Sequence, residues 1–190
     1  IDRMSFTPEA NFTNVRLNFE SAADGVRAID FKSLVGDEMP FNFTLTSNAE
    51  GRTFTGSSEN GGGVVRAAGL FDDIVGGRLE INGNLDDDGI VRGQAEISDF
   101  YLVDAPVVAR LLSVAALTGI VDELRGEGIS FKTLRVPFSY ANSTLAVEDG
   151  EMFGTSLGLT ADGTYDFTAS SMNFNGTVIP AYAINSALNS

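Results

Sequence analysis

The feature that most constrains this chain is a two-residue alternation of apolar and polar side chains, repeated in short runs. Asn14 to Glu20 sets Val15, Leu17 and Phe19 against Asn14, Arg16, Asn18 and Glu20. Pro40 to Ser47 sets Phe41, Phe43 and Leu45 against Asn42, Thr44 and Thr46. Successive side chains of a strand point to opposite faces, so each run is a half-buried strand. Val26 to Leu34 is a looser strand. Arg52 to Ser58 and Gly63 to Ala68 flank Glu59-Asn60-Gly61-Gly62, which reads as a hairpin turn. Gly69 to Gly77 reads as a short helix or turn closed by two glycines. Arg78 to Leu85 and Ile90 to Ser98 are joined by Asp86-Asp87-Asp88-Gly89, a second hairpin.

The later half continues the pattern. Ile129 to Tyr140 presents Leu134, Val136, Phe138 and Tyr140 on one side. Strands are expected at Thr144 to Glu148, Ser156 to Ala161, Thr164 to Ala169 and Met172 to Val178. Their apolar members include Leu145, Val147, Leu157, Leu159, Tyr165, Phe167 and Phe174. Regular spacing between turn signals is that of an antiparallel meander in one domain spanning residues 1–190. A sheet with one apolar face must cover it, by closing into a barrel, folding into a sandwich, or curling into a trough filled by something else.

One stretch breaks the β pattern. Asp104 to Glu127 (DAPVVARLLSVAALTGIVDELRGE) reads as a helix, with Asp104 as its N-cap and Pro106 in the first turn, where a missing N–H costs nothing. Arg125 and Gly126 mark its end. Between Ala105 and Val121 the polar side chains are Arg110, Ser113 and Thr118. A helix apolar nearly all round belongs inside something apolar. It is shorter than the ~20 apolar residues of a membrane span and carries Arg110 near its middle. Gly119 is a point where it can break in two. Pro180 to Ser190 is expected to start a second, small helix.

Composition narrows the chemistry. The chain has no cysteine and no histidine. That removes thiolate chemistry, the commonest general base and the commonest transition-metal ligand. Ser113 therefore has no histidine to activate it. Net charge is −14 and the sequence pI is about 4.2, so nucleic acid and anionic bilayer surfaces repel the chain. Asn84 to Gly89 partly mimics a calcium loop, but the closing glutamate position falls on Ala95, with Glu96 out of register. A solvated hairpin turn is the simpler reading. The glycine runs at Gly61-Gly62-Gly63 and Gly76-Gly77 lack the Lys-Ser/Thr of a phosphate loop. Arg110 either snorkels, pairs with an acid, or meets a lipid phosphate. No residue is a candidate for catalysis, for a metal or for a cofactor.

Four ordered runs resemble a known family: GLFDDIVGGRLEINGNL from Gly69, AEISDFYLVDAPVVARLLSVAALTGIVDELRGEGISF from Ala95, LAVEDGEMFGTSLGLTADGTYDF from Leu145 and FNGTVIPAYAINSAL from Phe174. With intact spacing over about the last two thirds of the chain, they resemble the C-terminal region of AsmA-like proteins, nearest the YhdP type and more distantly TamB. The resemblance implies a mainly β fold, an antiparallel sheet curled into an open, taco-like trough with one internal or capping apolar helix. It implies a segment of a bridge that carries phospholipids across the periplasm of a Gram-negative bacterium, from an inner-membrane anchor to the outer membrane. The partner would be phospholipid or another acyl-chain lipid, and the anchor and the membrane contact would lie outside this fragment. The family contributes no catalytic residues.

On that reading the groove is lined by Phe41, Phe43, Leu134, Val136, Phe138, Leu145, Val147, Leu157, Leu159, Tyr165, Phe167 and Phe174. Val107, Val108, Leu111 and Leu112 would place the helix in or over it. Composition and alternation by themselves do not separate a lipid trough from an ordinary closed core, which buries the same residue types. Two other functions remain open: assembly of outer-membrane proteins by strand pairing at a sheet edge, and a structural spacer that binds no lipid.

Overall fold

The computed structural model describes residues 3–5, 11–23, 25–36, 38–48, 51–106, 108–110, 124 and 126–180. Eleven strands form one antiparallel sheet in which every strand lies beside its sequence neighbours. They are β1 (Arg3–Ser5), β2 (Asn11–Ala22), β3 (Gly25–Val35), β4 (Met39–Asn48), β5 (Gly51–Ser58), β6 (Ile74–Leu85), β7 (Val91–Leu102), β8 (Ile129–Ala141), β9 (Thr144–Gly154), β10 (Leu157–Asp166) and β11 (Ser171–Pro180). The order runs from β1 to β11 without closing, so the sheet is open and, among the described residues, β11 is an edge. A twisted sheet of this width curls rather than lying flat. Register shifts between β2 and β3, β8 and β9, and β9 and β10 add the local bends of β-bulges.

Turn chemistry explains the meander. Asn142 and Ser143 both have positive φ, 50° and 61°, the two-residue hairpin geometry that matches strand twist. In the β6–β7 turn the Asp86 carboxylate accepts from the Ile90 amide at 2.8 Å and from Arg92 at 2.6 Å. The hydrogen bond from Arg92, then that from the Ile90 amide, holds the Asp86 carboxyl below its ordinary value of 3.8.

Four sequence expectations change. Gly63 to Ala68 is no strand: Gly61–Ala67 forms helix α1. Asn60 is its N-cap rather than a hairpin residue, accepting from the Gly63 amide at 2.9 Å. Helical spacing turns Val64 and Ala67 into the core, which strand spacing would split between two faces. The glycines serve close approach. A Cβ on Gly61 would lie 3.1 Å from Ile97 Cγ2, and one on Gly62 only 2.3 Å from the Ile74 carbonyl oxygen.

Of the helix or turn expected over Gly69 to Gly77, Gly69 to Asp73 is a turn, whereas its closing glycines Gly76 and Gly77 lie inside β6, which begins at Ile74 and passes through them at φ 70° and 81°. Ser156 to Ala161 and Thr164 to Ala169 merge into the single strand β10, and the irregularity between Ala161 and Gly163 is a bulge against β9. Asp104 is not the N-cap of the apolar segment. The Ala105 carbonyl accepts from Ala109 at 2.9 Å, which makes Ala105 the cap and Pro106 the first helical residue. Described helical residues there are 106, 108–110 and 124. The rest of the expected Asp104 to Glu127 helix, Gly119 included, and nearly all of Pro180 to Ser190 lie outside the described residues.

The core sits at one end of the strands. Phe100, Phe131, Leu102, Ile129, Leu157 and Leu124 are fully buried, with α1 and the ends of the apolar segment packed among them. Phe100 and Phe131 stack with centroids 5.5 Å apart. Left-handed backbone at Gly77 and at Asp99 (φ 53°) resets the alternation. Ile74 and Leu79 are thereby both buried, as are Ile97 and Phe100, although odd spacing separates each pair.

Two outcomes test this packing. Alanine normally stabilises a helix relative to glycine by up to ~1 kcal/mol. Gly62→Ala is instead expected to lower stability by about 1–3 kcal/mol, because its methyl meets backbone that cannot retreat, as read by urea denaturation. The depressed Asp86 carboxyl contributes stability that is full above its ordinary value of 3.8 and is lost as pH falls through the lower folded value. Asp86→Asn should therefore be less stable than the parent at neutral pH, and that difference should shrink in melts taken below pH 4.

Candidate functional site: an apolar band across the sheet

Cross-strand register assembles the site. In one row Phe19, Ile29, Leu45, Phe54, Gly83, Gly93, Phe138, Val147, Gly163 and Phe174 stand side by side, one from each strand from β2 to β11. Directly opposite residues share a face, so this row lies on a single side of the sheet. Two residues nearer the core, a second row on that side includes Leu17, Phe31, Phe43, Ile81, Ala95, Val136 and Ala161. A third contains Phe41, Leu79, Ile97, Leu134, Met152, Leu159 and Val178. No charged residue occurs in any of the three rows, in a chain that is 20% charged. Ten strands at ~4.8 Å spacing make the band ~43 Å long.

Its cover is uneven. On the core side the band runs under α1 and the buried ends of the apolar segment. On the other side it ends in a fourth row that includes Arg52, Leu85, Val91, Tyr140, Leu145, Tyr165 and Met172. That lip is partly exposed. Both lateral ends of the band are open as well: Leu17 and Phe19 on β2 are 53% and 55% exposed, Met172 and Phe174 on β11 65% and 43%. Exposed apolar groups lying on one continuous face mark a binding surface.

In the middle of the band, aromatic rings fold onto glycines. A Cβ on Gly93 would meet the Cζ atoms of Phe54 and Phe138, both at 3.0 Å. Those rings pave the floor where β6 and β7 carry no side chain. Toward the lip, Tyr140, Tyr165 and Phe167 form an aromatic cluster, with centroids of 6.0 Å and 4.7 Å from Phe167.

The opposite face is polar and ion-paired. Arg135 reaches Glu151 at 2.8 Å and Glu96 at 3.6 Å across three strands. Lys132 pairs with Asp99 at 2.7 Å, and its hydrogen bond, with its charge, holds the Asp99 carboxyl below the usual range.

All of the strand positions expected to line a groove fall on this one side, but not on equal terms. Phe43, Leu134, Val136, Phe138, Leu145, Leu159 and Tyr165 are half-buried, and Phe174 is exposed. Phe167 lies beyond β10 in the turn, 44% exposed, with its amide donating to the Ser143 carbonyl. Leu157 has no exposed surface and belongs to the sealed core, while Phe41 and Val147 are nearly as buried. Val108 packs against that core, and Val107, Leu111 and Leu112 lie outside the described residues. Leu17, Phe19 and Leu45 carry the same alternation signal and join the band. Phe54 had no such signal, because Gly56 and Ser58 follow it on the same face.

Burial predicts which positions tolerate charge. Val147→Glu puts a carboxylate among apolar groups without a partner, and should cost several kcal/mol and unfold the domain in a thermal melt followed by circular dichroism. No family model, no curated protein and no solved structure matches this chain.

Proposed function

We propose that this chain is a non-catalytic segment of an intermembrane lipid-transfer bridge of the AsmA-like kind, with phospholipid as its cargo. The supporting observation is the uncharged band that crosses ten strands and stays open at its lip and at both lateral ends. Acyl chains lie on the band, and their burial at about 25 cal/mol per Å² is enough to hold them without directional contacts. Headgroups emerge at the lip, since the core side is covered. A band open at both ends lets lipid pass to a neighbouring segment without leaving apolar surroundings. On this reading the chain works in the periplasm of a Gram-negative bacterium. Its acidic surface suits neither nucleic acid nor an anionic bilayer.

One observation favours a second reading. The outer edge of β11 pairs with nothing among the described residues, and Ser171–Pro180 contains no charge. Long uncharged edges invite strand addition, which is how an assembly factor would hold a client.

The test uses the exposed ends of the band. Phe19→Glu and Phe174→Glu should fold with stability within about 0.5 kcal/mol of the parent, because neither ring is sealed. Native mass spectrometry should find phospholipid on the parent and little on either variant. A lipid-free parent, or variants loaded like the parent, would remove the lipid path and leave strand addition at β11 as the better reading.

A further inference from the structure

The band carries no charge, yet its open lip does. Arg52 stands in the fourth row, paired in register with Leu85 on one side and Ser47 on the other. On β5 it shares the face of Phe54, Gly56 and Ser58. Only 13% of its side chain is exposed, and its guanidinium is held at the lip between the β6–β7 turn and the β2–β3 turn. Arg27, on the neighbouring hairpin, is exposed at the same end of the strands. The other strand cations whose side chains are described, Arg16, Lys32, Arg78, Arg92, Lys132 and Arg135, do not alternate onto the band.

Among the described residues, both bonds of Arg52 are made by Nη2. Nη2 donates to the Asp86 carbonyl and to Asp87 Oδ1, the latter at 3.2 Å. Nη1 points the other way, toward the β2–β3 turn, where a Cβ on Gly25 would lie 3.3 Å from it. The Asp87 side chain is fully exposed, so this ion pair is screened by water and weak. An anion settled against the apolar wall would be less screened and would outcompete it. Guanidinium, with its planar fork of donors, is suited to two oxygens of one phosphate.

We infer that Arg52 is a specificity residue of the groove, which binds the phosphate of a lipid headgroup at the lip while the acyl chains lie across the band. The inference rests on the lipid-transfer reading and deepens it by naming what is recognised. From the Arg52 row to the third row of the band is six residues along a strand, ~20 Å. Around β5 the third row is sealed by the core, so the accessible path ends at the second row, four residues or ~13 Å from Arg52, which takes most of the ~15 Å depth of one leaflet of a bilayer's hydrocarbon core. The lip is also the one long side where a headgroup reaches water.

The test compares two fluorescent lipids with identical chains, a phosphatidylglycerol and a diacylglycerol, offered from detergent micelles to the 190-residue protein. The parent should bind the phospholipid about tenfold more tightly, the size of one charge-assisted contact. Arg52→Gln should abolish that preference and leave diacylglycerol binding unchanged. Asp87→Asn, which removes the competing carboxylate without touching the wall, should strengthen phospholipid binding, and it decides the matter if Arg52→Gln fails to fold. Equal binding of both lipids by the parent, or no response to Asp87→Asn and Arg52→Gln, would overturn the assignment while leaving the groove intact. Failure of the parent to bind either lipid would overturn the groove and the assignment together. Inorganic phosphate at millimolar concentration is the last arm. If it binds the lipid-free parent and Arg52→Gln abolishes that binding, Arg52 is a site for free phosphate and not a headgroup contact.

Discussion

An open sheet of eleven strands with one apolar face must cover that face, and everything else in this structure answers to that demand. A barrel would cover it by closure, but the strand order ends at β11 without returning to β1. Cover comes instead from two insertions into the meander. Helix α1 falls between β5 and β6, and the described ends of the apolar segment, with Ala105 and Leu124 buried, fall between β7 and β8. Both reach the same end of the strands. There the burial is complete, with Phe100, Phe131, Leu102 and Ile129 at 1% exposure or less. Farther along the same strands most side chains of the face become half-exposed or exposed, although Leu45, Phe54 and Val147 stay buried.

That division separates sealed core from open surface within single strands. β8 begins with Ile129 and Phe131 in a sealed core and ends with Phe138 and Tyr140 at an open band. A charge at the first pair is a folding defect, whereas a charge on the exposed residues of the band is a change of surface. β-Bulges and left-handed residues are the devices that allow this. Gly77 and Asp99 turn the strand so that apolar groups on both sides of the kink face inward. Without that reset, strict alternation would send Ile74, Phe100 and Leu102 outward.

The polar face shows how so acidic a chain tolerates a wide sheet. Its cations are spent pairwise on the outer surface, Arg135 with Glu96 and Glu151 and Lys132 with Asp99. These exposed pairs contribute little energy each, but they separate like charges across neighbouring strands. Arg52 departs from that pattern by standing on the apolar side.

The sequence by itself determined the strands, because alternation at a period of two is a local property that side-chain hydropathy writes directly into the chain. Asn14 to Glu20, Pro40 to Ser47 and Ile129 to Tyr140 are legible for that reason, and so is the face on which Phe43, Val136, Phe138 and Tyr165 lie. It did not determine where alternation is reset. Gly76-Gly77 read as the end of a helix or turn, and only pairing with β7 places them inside β6, near its start. Nor could it tell that Gly61 to Ala67 is a helix, since the glycines there answer to the backbone of β6, residues away in sequence. The open and sealed halves of the apolar face were equally invisible. Leu157 and Leu159 are the same residue two positions apart, and which of them is covered depends on what the tertiary structure lays over them.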